Sequence, residues 1–176
     1  MTSLRTKRMV FAAVIAAAYS ALSLLLAPIS FGQIQLRAAE ALTILPIFNP
    51  AAIWGVTLGC LITNFIGIST GANILGVMDV FVGTAATLVA ALITSRLGKY
   101  RICGLPVLAT LPPVIINALA IGAELNYATA PAGTWNMFPM FAGFIALGQL
   151  GSCTLLGLLL CRALERTGAA DTLRKL

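Results

Sequence analysis

From Met9 to Cys161 the sequence is a succession of apolar segments, interrupted only briefly by polar residues. They cover residues 9–27, 37–48, 51–68, 74–95, 103–124 and 137–161. A helix needs about 20 apolar residues to cross a bilayer, and all but the second segment approach or exceed that length. The composition agrees, with 60% of residues hydrophobic and 9% charged, against about 45–50% and about 25% in a soluble domain. That leaves too little polar surface to cover a water-soluble globule. Soluble enzymes, disordered tails and secreted disulfide scaffolds fit poorly, and an integral membrane protein fits well. The expectation is an all-α integral membrane protein with a single membrane domain over residues 1–176. The first segment follows a basic start, as in a signal peptide. It is longer than the h-region of about 7–15 residues, so it reads as a retained helix.

The net charge is +6, from 11 Lys and Arg against 5 Asp and Glu. Such an excess would suit a nucleic-acid binder, but its distribution points elsewhere. Arg5, Lys7 and Arg8 open the chain, Arg96, Lys99 and Arg101 separate the fourth and fifth segments, and Arg162, Arg166, Arg174 and Lys175 follow the sixth. The positive-inside rule places all three clusters on the cytoplasmic face. The first and last then lie on one side, so the number of crossings is even. Although the second segment is short, the 96–101 loop returns to the inside only if that segment crosses. The expected architecture is a six-transmembrane-helix bundle with both termini cytoplasmic. Residues 28–36, 69–73 and 125–136 then face outward.

Glu40, Asp79 and Glu124 fall within spans, where carboxylates are costly and mark functional sites facing a bundle interior or a watery cavity. Arg37 precedes Glu40 by three positions, so the two share a helix face and can form a structural ion pair, or contact a ligand. Gly76 and Gly83 flank Asp79 on its face, leaving room for either close helix packing or a ligand. Asn117 lies two turns before Glu124 on one face, and Gln149 shares a face with Ser152. These amides are interhelical glue or ligand contacts. By position along the segments, Arg37, Glu40, Asp79 and Glu124 lie in the outer part of the bilayer and Gln149 at mid-depth. The inner half carries almost no polar lining, which disfavours a through-channel and favours a pocket open outward. Trp135, Tyr127, Asn126 and Asn73 in the outer loops could form its lid; alternatively Trp135 and Tyr127 belong to an interfacial aromatic belt.

In the first segment Ala12, Ala16 and Ser20 form one small-residue row, and Ala13, Ala17 and Ala21 the next. Both rows admit close approach of another helix, within the bundle or from a different subunit. Gly55 and Gly59 form a similar GxxxG pattern. With no histidine and no CxxC pair, an imidazole-based metal site is absent, and Cys60, Cys103, Cys153 and Cys161 read as small hydrophobes. No phosphate-binding loop, GxSxG or HExxH motif occurs, so an energised transporter of this size would draw on an ATPase from elsewhere.

The stretch Phe31-Gly-Gln-Ile-Gln-Leu-Arg-Ala-Ala-Glu-Ala-Leu-Thr-Ile-Leu-Pro46 resembles the QueT family. The likeness continues through Asn49-Pro-Ala-Ala, Gly55 to Asn64, Asp79-Val-Phe-Val-Gly83 and Asn117 to Glu124, and covers nearly the whole chain. It implies a six-helix substrate-binding (S) component of an energy-coupling-factor (ECF) transporter for queuosine precursors, in a bacterial plasma membrane. Its partners would be a coupling transmembrane subunit and two ATP-binding-cassette ATPases. ATP would be used by those ATPases, with no cofactor in this chain. Ala12, Ala13, Ala16, Ala17 and Ala21 would form the docking surface, and toppling of the subunit would release solute inside. The family's sixth helix carries Gly-Glu where this chain has Gly148-Gln149. The implied solutes are 7-deazaguanine bases. Glu40, Asp79 and Glu124 would accept from the guanine-like N–H edge or an aminomethyl group, Asn117 and Gln149 would read a carbonyl or ring nitrogen, and Trp135 or Tyr127 would stack. The alternatives are an S component for another vitamin-like solute, a small intramembrane enzyme acting on a lipid, and an oligomeric channel.

Overall fold

The computed structural model describes residues 3–31 and 35–176. Five described helices are long and apolar enough to cross a membrane: Leu4–Leu25, Ala51–Ser69, Val77–Leu97, Val107–Thr129 and the continuous Phe138–Arg166. In chain order, α1 is Leu4–Leu25, α2 the single turn Ala27–Ser30, α3 Ala51–Ser69, α4 Val77–Leu97 and α5 Val107–Thr129. The last long helix comprises α6 (Phe138–Gln149), a π-helical stretch (Leu150–Leu156) and α7 (Gly157–Arg166), and α8 (Ala169–Arg174) closes the chain. Among the described residues no strand forms; Ile102 and Leu105 make only an isolated bridge.

The second apolar segment, expected as a sixth span, is instead a ten-residue 3₁₀ helix over Ala38–Ile47. At about 2.0 Å per residue it extends about 20 Å, short of the roughly 30 Å hydrocarbon core. It packs against α1, α3, α4, α5, α7 and the π-helical stretch, so it is the central strut of the bundle. Its first end lies at mid-bundle, where Arg37 meets Cys60, the tenth of the nineteen residues of α3. At its other end the Phe48 ring lies beneath Arg174.

Backbone chemistry explains where other boundaries move. Helix α4 starts at Val77 rather than near residue 74 because Gly76 adopts φ 65°, ψ −141°, a conformation open essentially to glycine. The fifth segment starts helically only at Val107, because Cys103 and Gly104 have φ of 51° and 80° in a tight turn and Pro106 follows. Pro112 and Pro113 lie inside α5 without ending it.

The surface is inverted relative to a soluble protein. Phe65, Phe81, Trp54 and Leu147 are exposed, whereas Glu40, Asn64, Asp79 and Asn117 are buried. That distribution suits lipid outside and a polar interior, as in a multi-pass membrane protein. The basic clusters gather at one end of the bundle. Arg8 donates to the Leu176 carbonyl at 2.7 Å, Asn49 to that of Leu173 at 2.8 Å, and Arg101 pairs with Glu165 at 2.6 Å. Two apolar clusters flank the middle: one includes Ile15, Tyr19, Ile44, Val56 and Cys161, the other Ala118, Ile121, Phe141 and Ile145.

The GxxxG glycines of α3 are used internally. A Cβ on Gly55 would lie 2.8 Å from that of Ile15, and one on Gly59 2.7 Å from that of Tyr19. Only glycine lets α1 approach this closely. Ser20 joins the contact by donating to the Gly59 carbonyl at 3.1 Å.

Candidate functional site

With three residues per 3₁₀ turn, positions 37, 40 and 43 eclipse, so Arg37, Glu40 and Thr43 form one inward row, all buried. Thr43 Oγ1 donates to the Glu40 carbonyl at 2.6 Å. Tyr19, buried on α1, donates its hydroxyl to Glu40 Oε1, while Glu40 Oε2 has no partner among the described residues. Arg37 and Glu40, although on one face, form no ion pair. Arg37 turns aside: its guanidinium carbon lies 5.0 Å from the centre of the Phe31 ring, a cation–π contact, and its Nη1 donates to Cys60 Sγ at 3.8 Å. Their depth also differs from the outer position expected from segment counting. The chain has already reached mid-bundle at Arg37.

Cys60 does more than pack. Its sulfur also accepts from Thr87 Oγ1 at 3.3 Å and Asn64 Nδ2 at 3.6 Å, so it ties the Arg37 row to α3 and α4. On α4, Asp79, Gly83 and Thr87 occupy one face at four-residue intervals. Asp79 Oδ2 accepts from Asn73 Nδ2 at 3.0 Å, and the Asp79 carbonyl accepts from Asn64 Nδ2 at 2.9 Å. Asp79 Oδ1 has no partner among the described residues and lies over Gly83, where an added Cβ would collide with it. Asn73 is itself anchored: its N–H donates to Gly67 at 3.0 Å, and its Oδ1 accepts from the Leu75 N–H at 3.1 Å.

Asn117, Ile121 and Glu124 share the inward face of α5. Glu124 is 3% exposed, yet neither carboxylate oxygen has a partner among the described residues. Gln149 ends the regular part of α6, and its Oε1 accepts from Cys153 Sγ at 2.9 Å. The π-helical turn that follows keeps Gln149, Ser152 and Cys153 all buried, and such turns recur at functional sites.

These groups surround one small cavity. Gln35, Arg37 and Glu40 line it, together with Gly83 and Thr87 from α4, Asn117 and Ile121 from α5, and Gln149 from α6. Its volume is about 10 Å³, room for a single water. Arg37, Glu40, Asn117 and Gln149 thus come together at mid-bundle. Asp79 and Glu124 lie toward the end away from the basic clusters, Asp79 near the start of α4 and Glu124 five residues before the end of α5. Among the described residues no three Cys, Asp or Glu side chains converge closely enough to hold a metal ion.

Trp135 and Tyr127 are not brought to the cavity. They are 60% and 75% exposed, and Trp135 packs edge-on against Phe138 with ring centres 6.0 Å apart. Asn126 is buried but pins its own loop, donating to the Thr134 carbonyl at 2.8 Å. Of the outer-loop residues considered, Asn73 alone bonds to one of the three acids.

The two alanine rows of α1 part company. Ala16 and Ser20 are buried against α3, and Ala12 is half-buried beside Gly55, whereas Ala13, Ala17 and Ala21 are exposed. Ala16 is therefore withdrawn from any external partner by the α1–α3 contact. Ala12 and Ala13 line an apolar groove of about 590 Å³ with Met9, Trp54 and Leu58, and Arg5 and Arg8 stand at its end.

Sequence reasoning missed Tyr19, Gln35, Cys60 and Thr87. Thr87 was within reach, because the row Asp79–Gly83 extends one turn to it. Tyr19 lies on the same helix face as Ile15, but a tyrosine among alanines carries no sign of its carboxylate partner.

A family model described as "QueT transporter" matches residues 9–166. A curated relative, "Queuosine precursor transporter QueT" of Lactococcus lactis subsp. cremoris (strain MG1363), is 37% identical over 91 residues, 51% of this chain and 50% of that protein. The chain thus aligns with about half the length of that relative. No solved structure matches.

Proposed function

The chain belongs to the QueT transporter family, and from that premise we propose that it is the substrate-binding membrane subunit of an ECF-type importer for a queuosine precursor. The observation that carries the reading is a pair of buried carboxylate oxygens without partners among the described residues: Glu40 Oε2, on a cavity that Arg37, Gln35, Asn117, Gln149 and Thr87 also line, and Asp79 Oδ1, which lies over the cavity residue Gly83. A 7-deazaguanine presents adjacent N–H donors, which a carboxylate accepts, and a carbonyl, which the amide groups of Asn117 and Gln149 donate to. Leaving such acceptors unmet in a dry interior is costly, and a donor-rich ligand removes the cost. Glu40 and Asp79 are the acceptors of the base edge. The cavity admits a bicyclic base only as its walls part.

In this reading the second apolar segment, residues 37–48, makes the sixth crossing, both termini are cytoplasmic, and the site opens outward. The gathering of the basic clusters at one end supports that orientation. A coupling transmembrane subunit docks on Ala13, Ala17 and Ala21 beside the apolar groove, and two ATP-binding-cassette ATPases supply the energy from ATP, with no cofactor in this chain.

The test is ligand binding by the purified protein in lipid nanodiscs, with 7-deazaguanines set against unrelated vitamins. Selective binding of a 7-deazaguanine, abolished in Glu40→Gln and Asp79→Asn proteins that still insert, is the expected result. Absence of binding together with ion flux through the isolated protein would overturn it.

A further inference from the structure

Among the described residues, two that are not glycine adopt a positive φ: Cys103 at 51°, in an exposed turn, and Gln35 at 45°. Residues with a Cβ rarely take this region, because the Cβ crowds the following carbonyl oxygen. Gln35 is the unusual case, being 6% exposed and lining the mid-bundle cavity. Its carbonyl accepts from the Arg37 N–H at 2.9 Å, closing a three-residue turn. That turn leaves Leu36 exposed and Gln35 and Arg37 both buried. The Gln35 carboxamide makes no hydrogen bond among the described residues. Two unfavourable features therefore meet at one residue of the cavity wall: a left-handed backbone and a buried amide without a partner. Neither is offset by a contact among the described residues, and strain of this kind clusters where a protein clamps a ligand.

The chemistry of a carboxamide narrows what it can read. It presents an acceptor and a donor side by side in one plane, so it pairs with a ring edge that alternates in the same way. On a 7-deazaguanine, the adjacent N–H donors suit the carboxylates and the carbonyl suits the amides of Asn117 and Gln149. The remaining edge sets a ring-nitrogen acceptor beside the pyrrole N–H, and that alternation matches a carboxamide.

We propose that Gln35 is a specificity-determining residue whose carboxamide pairs with the pyrrole N–H and the neighbouring ring nitrogen of the bound base. This rests on the reading of the chain as a 7-deazaguanine-binding subunit. The left-handed backbone at Gln35 holds the carboxamide at the cavity, and the ligand supplies the partner that the protein does not.

The experiment measures affinities of full-length protein in nanodiscs for 7-cyano- and 7-aminomethyl-7-deazaguanine, each with and without a methyl group on the pyrrole nitrogen. The comparison is made within each pair. Wild-type protein should favour the unmethylated base at least about tenfold, or about 1.4 kcal/mol. Gln35→Met is similar in length but has no amide. It should lose about tenfold in affinity for the unmethylated base and bind both members of the pair about equally. It should also unfold no more readily than the wild type, since an unpartnered amide has been removed. Gln35→Gly, which takes a positive φ freely, should weaken binding in the same way. Equal wild-type affinities within a pair, or a preference retained in Gln35→Met, would overturn the inference and leave the subunit assignment standing. Loss of stability or of folding in Gln35→Met would do the same, because it would make the side chain structural. Binding of none of the four bases by the wild type would overturn the assignment and this inference with it.

Discussion

Replacing Tyr19 by Phe removes one oxygen and leaves the ring in place. Tyr19 is fully buried and Glu40 is 1% exposed, so bulk water does not reach the position of the lost donor. Glu40 would then have both carboxylate oxygens unmet, since Oε2 already has no partner among the described residues. Hydrogen bonds to charged groups contribute about 1.5–3 kcal/mol. In membranes the unfolded reference state finds other partners, and interhelical pairs average only about 0.6 kcal/mol with a maximum near 1.7 kcal/mol. A fully buried pair with an acidic acceptor belongs at the upper end, so the expected coupling is about 1.5 kcal/mol. A double-mutant cycle of Tyr19→Phe and Glu40→Gln, read by reversible unfolding in mixed micelles, isolates that term. The two substitutions together should cost less than the sum of each alone by that amount. Coupling below about 0.5 kcal/mol, where independent sites already add, would refute the role given to Tyr19. The same Tyr19→Phe protein should bind ligand about tenfold more weakly, or about 1.4 kcal/mol, because Glu40 loses the contact that orients it.

Gly83→Ala should insert normally but lose at least about tenfold in ligand affinity, about 1.4 kcal/mol, because the new methyl displaces Asp79 Oδ1 and lies 3.0 Å from Asn64 Nδ2. Gly143→Ala, where a Cβ meets nothing within 4 Å, is the control: affinity unchanged, and helix stability raised by up to about 1 kcal/mol. Replacing exposed Ala13 and Ala17 together by Leu should leave binding intact and block uptake in cells; normal uptake would remove the docking role.

The site was partly legible because intramembrane acids are conspicuous against an apolar background, so Glu40, Asp79 and Glu124 needed no structure to be singled out. Their partners were not legible. The Tyr19–Glu40 contact joins residues 21 apart, and Cys60 and Thr87 meet across 27; no local pattern encodes such pairs. The Arg37–Glu40 ion pair was a reasonable reading of spacing three, yet spacing specifies a shared face and not a shared partner. Phe31 and Cys60 took the guanidinium, and Tyr19 took the carboxylate.

By itself the sequence determined the solvent this protein lives in, its helical class, five of the six expected spans and the three basic clusters, because hydropathy and charge sum along the chain regardless of neighbours. Tertiary structure decided what depends on packing between distant segments. It wound the second segment as a 3₁₀ strut, began that strut at mid-bundle, turned Ala16 inward and Ala17 outward, and left Trp135 and Tyr127 outside the site. Each of those outcomes rests on how closely helices approach. Gly55 and Gly59 permit that approach, but the face they meet exists only once α1 has folded against them.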